Sequence, residues 1–328
     1  MIFAGDIGGT KAYLAIFEKI GTQLEKIRES RFESRNFPDL NSIIEEFFKG
    51  NKPKPQIACV GVAGPIVDGN CDLTNLDWRV ETGRLKKIFD TVWLINDLVA
   101  MSCAVPYLEE KDVAVLQSGH QVDEGRISVI AAGTGLGQAF LIPVGKSKYS
   151  VLDSEGGHAD LAPRNLLEAE LLFFLQKKFG RVSLERVVSG PGLVHIFLFV
   201  KEKFHSGELE DWERDSGSDE LAREIIRLAV EKKSEICEKT LDIFMALYGA
   251  LAGNLALQYL SKGGVYLGGG IVPRIVPLLK EGAFMKAFLS KGRFKNFLAK
   301  VPVKTILNDK ASLLGAAHYA LGERFIRE

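Results

Sequence analysis

With 328 residues, the chain is too long for one compact hydrophobic core and suits two domains. Its 46% hydrophobic and 26% charged content is ordinary for a folded globular protein. The 42 basic side chains match 42 acidic ones, which excludes the Lys/Arg surplus that nucleic acid or an anionic membrane demands, so small molecules are the expected partners.

Ile2 to Ala4 and Ala12 to Phe17 are short apolar runs separated by Gly5, Gly8 and Gly9, and they predict two strands joined by a tight glycine turn. Asp6 interrupts the apolar start before a signal peptide's hydrophobic region can form. Asn41 to Lys49, with Ile43, Ile44, Phe47 and Phe48, has helical spacing. Ile57 to Val62 and Val92 to Ile95 are unbroken apolar runs, typical of strands buried on both faces. Strands mixed with helices in this order indicate an α/β domain. Pro106 to Asp112 is the expected crossing point to a second lobe. There the strand, glycine turn and strand return at Ile127 to Ile130, Gly133 to Gly137 and Ala139 to Ile142, a weak repeat that suggests two related lobes.

Asn165 to Phe179 predicts an amphipathic helix with Leu166, Leu167, Leu171, Phe174 and Leu175 on its face. Glu202 to Asp219 reads as an acidic surface loop, after which Ser218 can cap a helix opening on Asp219 and Glu220. A helix around Leu241 to Leu260 carries Gly249 and Gly253, so another backbone is expected to pack closely there. The basic residues around Arg227 to Lys233 and Lys291 to Lys295 read as solvated helix faces. After Val301 to Leu307, a helix from Leu313 to Leu321 closes the chain. No apolar run approaches the length of a membrane span. Cys59, Cys71, Cys103 and Cys237 are scattered without CxxC spacing; buried, reduced thiols and a cytoplasmic location are expected.

Three glycine clusters carry the chemistry: Gly5-Asp6-Ile7-Gly8-Gly9-Thr10-Lys11, Gly133-Thr134-Gly135-Leu136-Gly137 and Gly268-Gly269-Gly270. Glycine admits positive φ and leaves peptide N–H groups bare, so such turns can hold phosphate. The Walker A pattern fails because no segment supplies its lysine, and GxGxxG fails because Gln138 stands where glycine is required. Each cluster alone also fits a plain hairpin turn; three together favour phosphate. An Asp beside phosphate-binding amides repels the anion unless a cation intervenes, so Asp6 suggests Mg²⁺, held through water.

In order and separation, these clusters resemble the two phosphate motifs and the adenosine motif of the hexokinase, actin and Hsp70 superfamily. Leu73-Thr74-Asn75-Leu76-Asp77-Trp78, Asn96-Asp97, Glu155-Gly156-Gly157-His158, Ser183-Leu184-Glu185 and Ser189-Gly190-Pro191-Gly192-Leu193 narrow the resemblance to the bacterial glucokinase family. It implies a two-lobed, actin-like ATPase (ribonuclease H-like) α/β fold. A cleft would separate a smaller domain, 1–110 plus 304–328, from a larger one, 111–303. The implied activity is ATP-dependent phosphorylation of the glucose 6-hydroxyl, with ATP and Mg²⁺ as cofactors and a homodimer as the assembly. Gly5, Asp6, Ile7, Gly8, Gly9, Thr10, Gly133, Thr134 and Gly135 would meet the phosphates, with Gly269 and Gly270 near adenosine.

A sugar hydroxyl is a poor nucleophile, so transfer needs in-line positioning, charge neutralisation and a proton acceptor. Asp97 follows the apolar strand ending at Ile95, at a strand's carboxyl end where α/β sites lie. Asn96-Asp97 equally fits a cap on the helix Leu98 to Val105; the resemblance makes Asp97 the catalytic base. It also implies that Asn96, Asp97, Glu155, His158 and Glu185 line the glucose, with Thr74 and Asn75 beside it. Gly156-Gly157 permits a sharp turn that aims Glu155 and His158 at one ligand. The cysteine cluster that accompanies a similar zinc-binding histidine in repressor-type relatives is missing, which argues against structural zinc. Glucose is expected to close the lobes, with hinges near Pro106 and before the last helix. The competing readings are a kinase for mannose or N-acetylglucosamine, and a non-catalytic actin- or Hsp70-like nucleotide switch.

Overall fold

The computed structural model describes residues 1–21, 23–50, 55–73, 76–204 and 217–326. Thr74 and Asn75, and most of the acidic loop expected over Glu202 to Asp219, lie outside them. Along the chain run β1 (Ile2–Ile7), β2 (Lys11–Ile20), β3 (Gln23–Glu33), α1 (Leu40–Phe48), β4 (Ile57–Val62), β5 (Asn70–Asp72), β6 (Arg79–Glu81), α2 (Thr82–Leu85), β7 (Thr91–Asn96) and α3 (Asp97–Ala104). There follow β8 (Val113–Gln117), β9 (Ile127–Ala132), β10 (Leu136–Gly145), β11 (Lys148–Ser154), α4 (Leu166–Phe179), α5 (Gly190–Phe204), α6 (Ser218–Val230) and α7 (Glu235–Gln258). The chain ends through β12 (Gly264–Gly268), α8 (Val272–Glu281), α9 (Ala283–Leu289), α10 (Lys295–Leu298), β13 (Val303–Ile306) and α11 (Ala311–Leu321).

These elements form two compact units: Met1–Glu109 with Ala139–Asp153 and Asn308–Glu328, and Glu110–Gln138 with Ser154–Leu307. The stretch 139–153, which the sequence places in the larger domain, joins the first unit. The reason is local: Tyr149 N–H donates to the Arg324 carbonyl at 2.7 Å, and Ile326 N–H donates to that of Tyr149 at 3.0 Å.

In the first unit the sheet order is β3-β2-β1-β4-β7. β1 is antiparallel to β2, while β1, β4 and β7 are parallel. β1 and β4 bury on both faces, as the sequence predicts for Ile57 to Val62; the same expectation for Val92 to Ile95 needs correction, because β7 is an edge strand and leaves Trp93 and Leu94 only partly buried. β3 escapes that reading because its QLEKIRESRFE is mostly exposed; it is held by its ladder to β2 rather than by burial. α1 supplies Phe47 and Phe48 to a cluster with Phe3 and Phe89, in which the Phe3 and Phe89 rings stack at 4.8 Å. Burying each such side chain contributes about 1.5–3 kcal/mol. Across the sheet, α3 and α11 meet where a Cβ on Gly315 would lie 1.8 Å from the Ala100 carbonyl oxygen. Only glycine permits that approach.

In the second unit β9, β12, β13 and β8 lie side by side, with β12 parallel to β9 and β13. α7 covers them through Tyr248, whose hydroxyl donates to the Ile130 carbonyl at 3.1 Å. A Cβ on Gly249 or Gly253 would strike the carbonyl oxygen of Phe284 or Phe288, at 2.1 and 2.7 Å, so α9 is the close backbone that these glycines imply. Three expectations need correction. α7 is long and apolar enough to cross a membrane, because Ala and Gly fill its interior positions, but 78% of that stretch is buried core. Ser218 is the first residue of α6 rather than its cap; Gly217 stands there, with no side chain to donate to. Lys291 lies outside any helix and is half-buried, against a cavity described below.

Candidate active site

Parallel register brings the carboxyl ends of β1, β4 and β7 level: Asp6 pairs with Gly61, and Gly61 with Ile95. Asp6 and Ile95 are therefore two strand spacings apart, roughly 10 Å, with no side chain between them. α3 starts directly after β7, and a Cβ on Gly61 would lie 3.6 Å from the Asp97 Cα. The bare glycine is what lets the helix start come down onto β4. Asp6 belongs to the end of β1 rather than to the turn that follows, a correction to its expected place.

Asn96 is the N-cap of α3: its Oδ1 accepts from the N–H groups of Leu98 at 2.9 Å and Val99 at 3.4 Å. Its Nδ2 donates to the Gly64 carbonyl at 3.4 Å. Asp97 Oδ1 accepts from Leu98 N–H at 2.8 Å. The capping role is thus present, and it holds both side chains at the edge of the sheet. Burial pushes the Asp6 carboxyl up to about 7, the Asp97 charge adds to that, and the Lys310 ammonium works against it. Lys310 precedes α11 and sits 3.2 Å above the Tyr13 ring, with Glu29 Oε1 at 3.7 Å. Tyr13 is the register partner of Asp6.

The first glycine turn closes through Gly8 N–H donating to the Lys11 carbonyl at 2.9 Å. Buried Ser34 pins it: its hydroxyl donates to the Gly8 carbonyl at 2.9 Å and its N–H to that of Thr10 at 3.0 Å. Gly5, Asp6 and Ile7 lie in β1, while Gly8, Gly9 and Thr10 make the turn.

The second unit gathers the remaining expected residues around the start of β10. Gly133 N–H donates to the Gly135 carbonyl at 2.9 Å, and Gly190 N–H, at the start of α5, donates to the Gly133 carbonyl at 2.7 Å. Thr134 lies between those glycines. Gly269 has φ +91°, and a Cβ there would sit 2.2 Å from the Ala132 carbonyl oxygen. Gly270 lies beside it, its N–H nitrogen 3.9 Å from a Cβ built on Gly133. The phosphate-type and adenosine-type turns are therefore neighbours.

Glu185 joins this group. Its Oε2 accepts from Leu136 N–H at 2.9 Å, on the glycine turn, while its Oε1 stands 4.0 Å from His158 Nδ1. His158 Nε2 is 3.7 Å from Glu155 Oε2. The Glu155-Gly156-Gly157-His158 turn needs its glycines because β10 runs behind it. A Cβ on Gly157 would meet the Leu136 carbonyl oxygen at 2.0 Å, and one on Gly156 would meet Gln138 Oε1 at 2.4 Å. Among the described residues no group of three or more His, Cys, Asp or Glu is arranged to hold a metal ion.

Sequence reasoning missed Gly61, Ser34 and Lys310. Gly61 sits inside an apolar strand and Lys310 among ordinary surface residues; only a glycine breaking the run Ile57–Val62 offered a signal.

The sequence profile of the family described as Glucokinase matches residues 3–323. A glucokinase of Nostoc punctiforme is 42% identical over 334 residues, covering 97% of this chain and 98% of the relative. The crystal structure of a glucokinase from an Antarctic psychrotroph is 34% identical, with a TM-score of 0.86 over 98% of this chain and 99% of that one. A ROK family glucokinase of Streptomyces griseus, in complex with glucose and AMPPNP, is 19% identical with a TM-score of 0.63 over 98% and 99% of the two chains, and shares the fold. Identity of this degree, sustained from end to end, is more than likeness of fold: the chain belongs to the glucokinase family.

Proposed function

We propose that, in the ATP-dependent phosphorylation of glucose this enzyme catalyses, Asp97 takes the proton of the glucose 6-hydroxyl. The hydroxyl oxygen then bonds to the γ-phosphorus of ATP, the bond from that phosphorus to the β-bridging oxygen breaks, and ADP leaves. The observation that carries this reading is the placement of Asp97 beside Asp6 at the carboxyl edge of parallel β1 and β7. Asn96 fixes the start of α3 and offers its amide to a sugar hydroxyl. Glu155, His158 and Glu185 take further hydroxyls; carboxylates and imidazoles bind them in multidentate fashion and reject analogues lacking a partner. Because Glu185 also accepts from the Leu136 amide, a hexose it holds steadies the phosphate turn.

Gly8, Gly9, Thr10, Gly133, Thr134 and Gly135 present peptide N–H groups to the phosphates, and Gly269 and Gly270 leave room for adenosine. Asp6 fits a divalent cation nearby, since a carboxyl raised to about 7 by burial and by the Asp97 charge favours a positive neighbour. Asp6 would hold Mg²⁺ through water; when bound, that ion neutralises charge on the phosphates. We further propose two domains that follow the two compact units, and a reducing, cytoplasmic setting, supported by four buried cysteines that form no disulfide.

The test is glucose-dependent ADP formation by wild type and Asp97→Asn. A base contributes typically ~10²–10⁴-fold, so the variant should lose that much kcat with its circular dichroism unchanged. A variant retaining wild-type kcat removes Asp97 from the role.

A further inference from the structure

The second unit contains a cavity of 520 Å³, within the roughly 300–1,000 Å³ range of small-molecule sites. One stripe of α7, with Leu247, Leu251 and Leu255, gives it an apolar wall. Asn254, also on α7, lines it together with Arg164, Lys291, Gln138 and Gly156 from outside that helix. None of these carries a role in the reaction described above.

Its charges do not balance. Buried Glu168 answers Arg164, accepting from its backbone N–H at 2.8 Å, from its Nε at 3.1 Å and from its Nη2. Asp160, also at the cavity, is paired with Arg181 at 2.8 Å. Lys291 has only the neutral Asn254 amide as acceptor; among the described residues no carboxylate lies within ion-pair distance of it. Burial, and then Arg164, press its ammonium toward the neutral form, with Glu168 opposing. A second group is also left over. Gln138 is 4% exposed, and its buried Nε2 donates to no described residue. Leaving such a donor unmet costs about 1–3 kcal/mol.

We infer that this cavity binds a small organic anion, its carboxylate or phosphate on Lys291 and its apolar body against the α7 stripe. The occupant would not be isolated from the reaction. Gln138 Oε1 packs where a Cβ on Gly156 would stand, directly behind the turn bearing Glu155 and His158. Binding would therefore alter the glucose KM, a consequence that rests on the sugar contacts proposed above; occupancy itself does not.

The experiment titrates butyrate and, separately, glycerol 3-phosphate into the whole enzyme saturated with glucose and a non-hydrolysable ATP analogue, by calorimetry and ligand-observed NMR. The variants are Lys291→Met, which keeps the stem, and Asn254→Asp, which sets an exposed carboxylate beside the ammonium. Binding of either probe to wild type, weakened about tenfold or more in both variants (about 1.4 kcal/mol), supports the site, and the probe that binds distinguishes carboxylate from phosphate. Absence of binding by both probes overturns it. So does equal binding in the variants, displacement by glucose or nucleotide, or sedimentation showing that a second copy covers Lys291. A KM that moves in wild type and not in Lys291→Met establishes the coupling; binding without any KM change keeps the site and removes the coupling.

Discussion

Asp6 and His318 are two titrating side chains of the first unit whose environments pull in opposite directions. Asp6 is raised from 3.8 to about 7, chiefly by burial and then by Asp97. Buried His318 is lowered from 6.5 to about 4, chiefly by burial; its ring stacks on Tyr107 at 3.4 Å and its Nδ1 has no described partner. For Asp6, the folded state holds the proton more tightly than the unfolded chain. Its contribution is complete below about 3.8 and is lost as pH rises through about 7. For His318, the unfolded chain binds the proton first, so stability is lost as pH falls from about 6.5 through about 4. The effects are at most about 4–5 kcal/mol for Asp6 and about 3–4 kcal/mol for His318. In the metal-free protein the two slopes oppose one another between pH 4 and 6.5. Urea unfolding should therefore show a nearly flat profile for wild type in that window. Asp6→Asn should become more stable as pH rises, and His318→Gln less stable. Parallel slopes in both variants would contradict the assignment.

At the scale of elements, the edge proposed to carry the chemistry depends on contacts far from it. α3 carries Asp97 at its first residue and meets α11 at Gly315, where a Cβ would lie 1.8 Å from the Ala100 oxygen and 2.7 Å from the Ala104 nitrogen. Gly315→Ala forces these helices apart. Overpacking of this kind costs typically about 1–3 kcal/mol, and the start of α3 moves with it. Gly249→Ala strains the α7–α9 contact in a comparable way but leaves α3 alone. Both variants should melt earlier. Only Gly315→Ala should also lose kcat at temperatures where it remains folded, which steady-state kinetics on the two proteins checks. α1 and most strands were legible from periodicity, because burial on one face or both dictates it; α4 was legible in extent, but Leu166 of its expected buried face is 77% exposed. β3 was not: its charged residues gain from pairing with β2, and pairing leaves no trace in hydropathy.

Across the whole molecule, a homodimer is the proposed assembly, and it finds support on α4. Leu166 and Phe173 lie seven residues apart, on one helical face, and are 77% and 63% exposed. Apolar side chains so placed favour cover by a second copy. Sedimentation should give a dimer at micromolar concentration, and Leu166→Glu with Phe173→Glu should give a folded monomer. A monomeric wild type would discard this face. Balanced charge suits the small-molecule chemistry expected from composition.

What the sequence determined by itself was chemistry carried by short contiguous strings. Glycine turns, Asn96-Asp97 and the Glu155 to His158 segment are legible because backbone freedom and functional groups are local properties. The tertiary structure decided what requires long-range register. Gly61 clears the space between Asp6 and Asp97, Ser34 pins the Gly8 turn, and Glu185 reaches the Leu136 amide across 49 residues of chain. Lys291, an ordinary surface cation in sequence, becomes half-desolvated only when α7 and the segment near Arg164 enclose it. Electrostatics depends on distance through space and on exclusion of water, and neither is written along the chain.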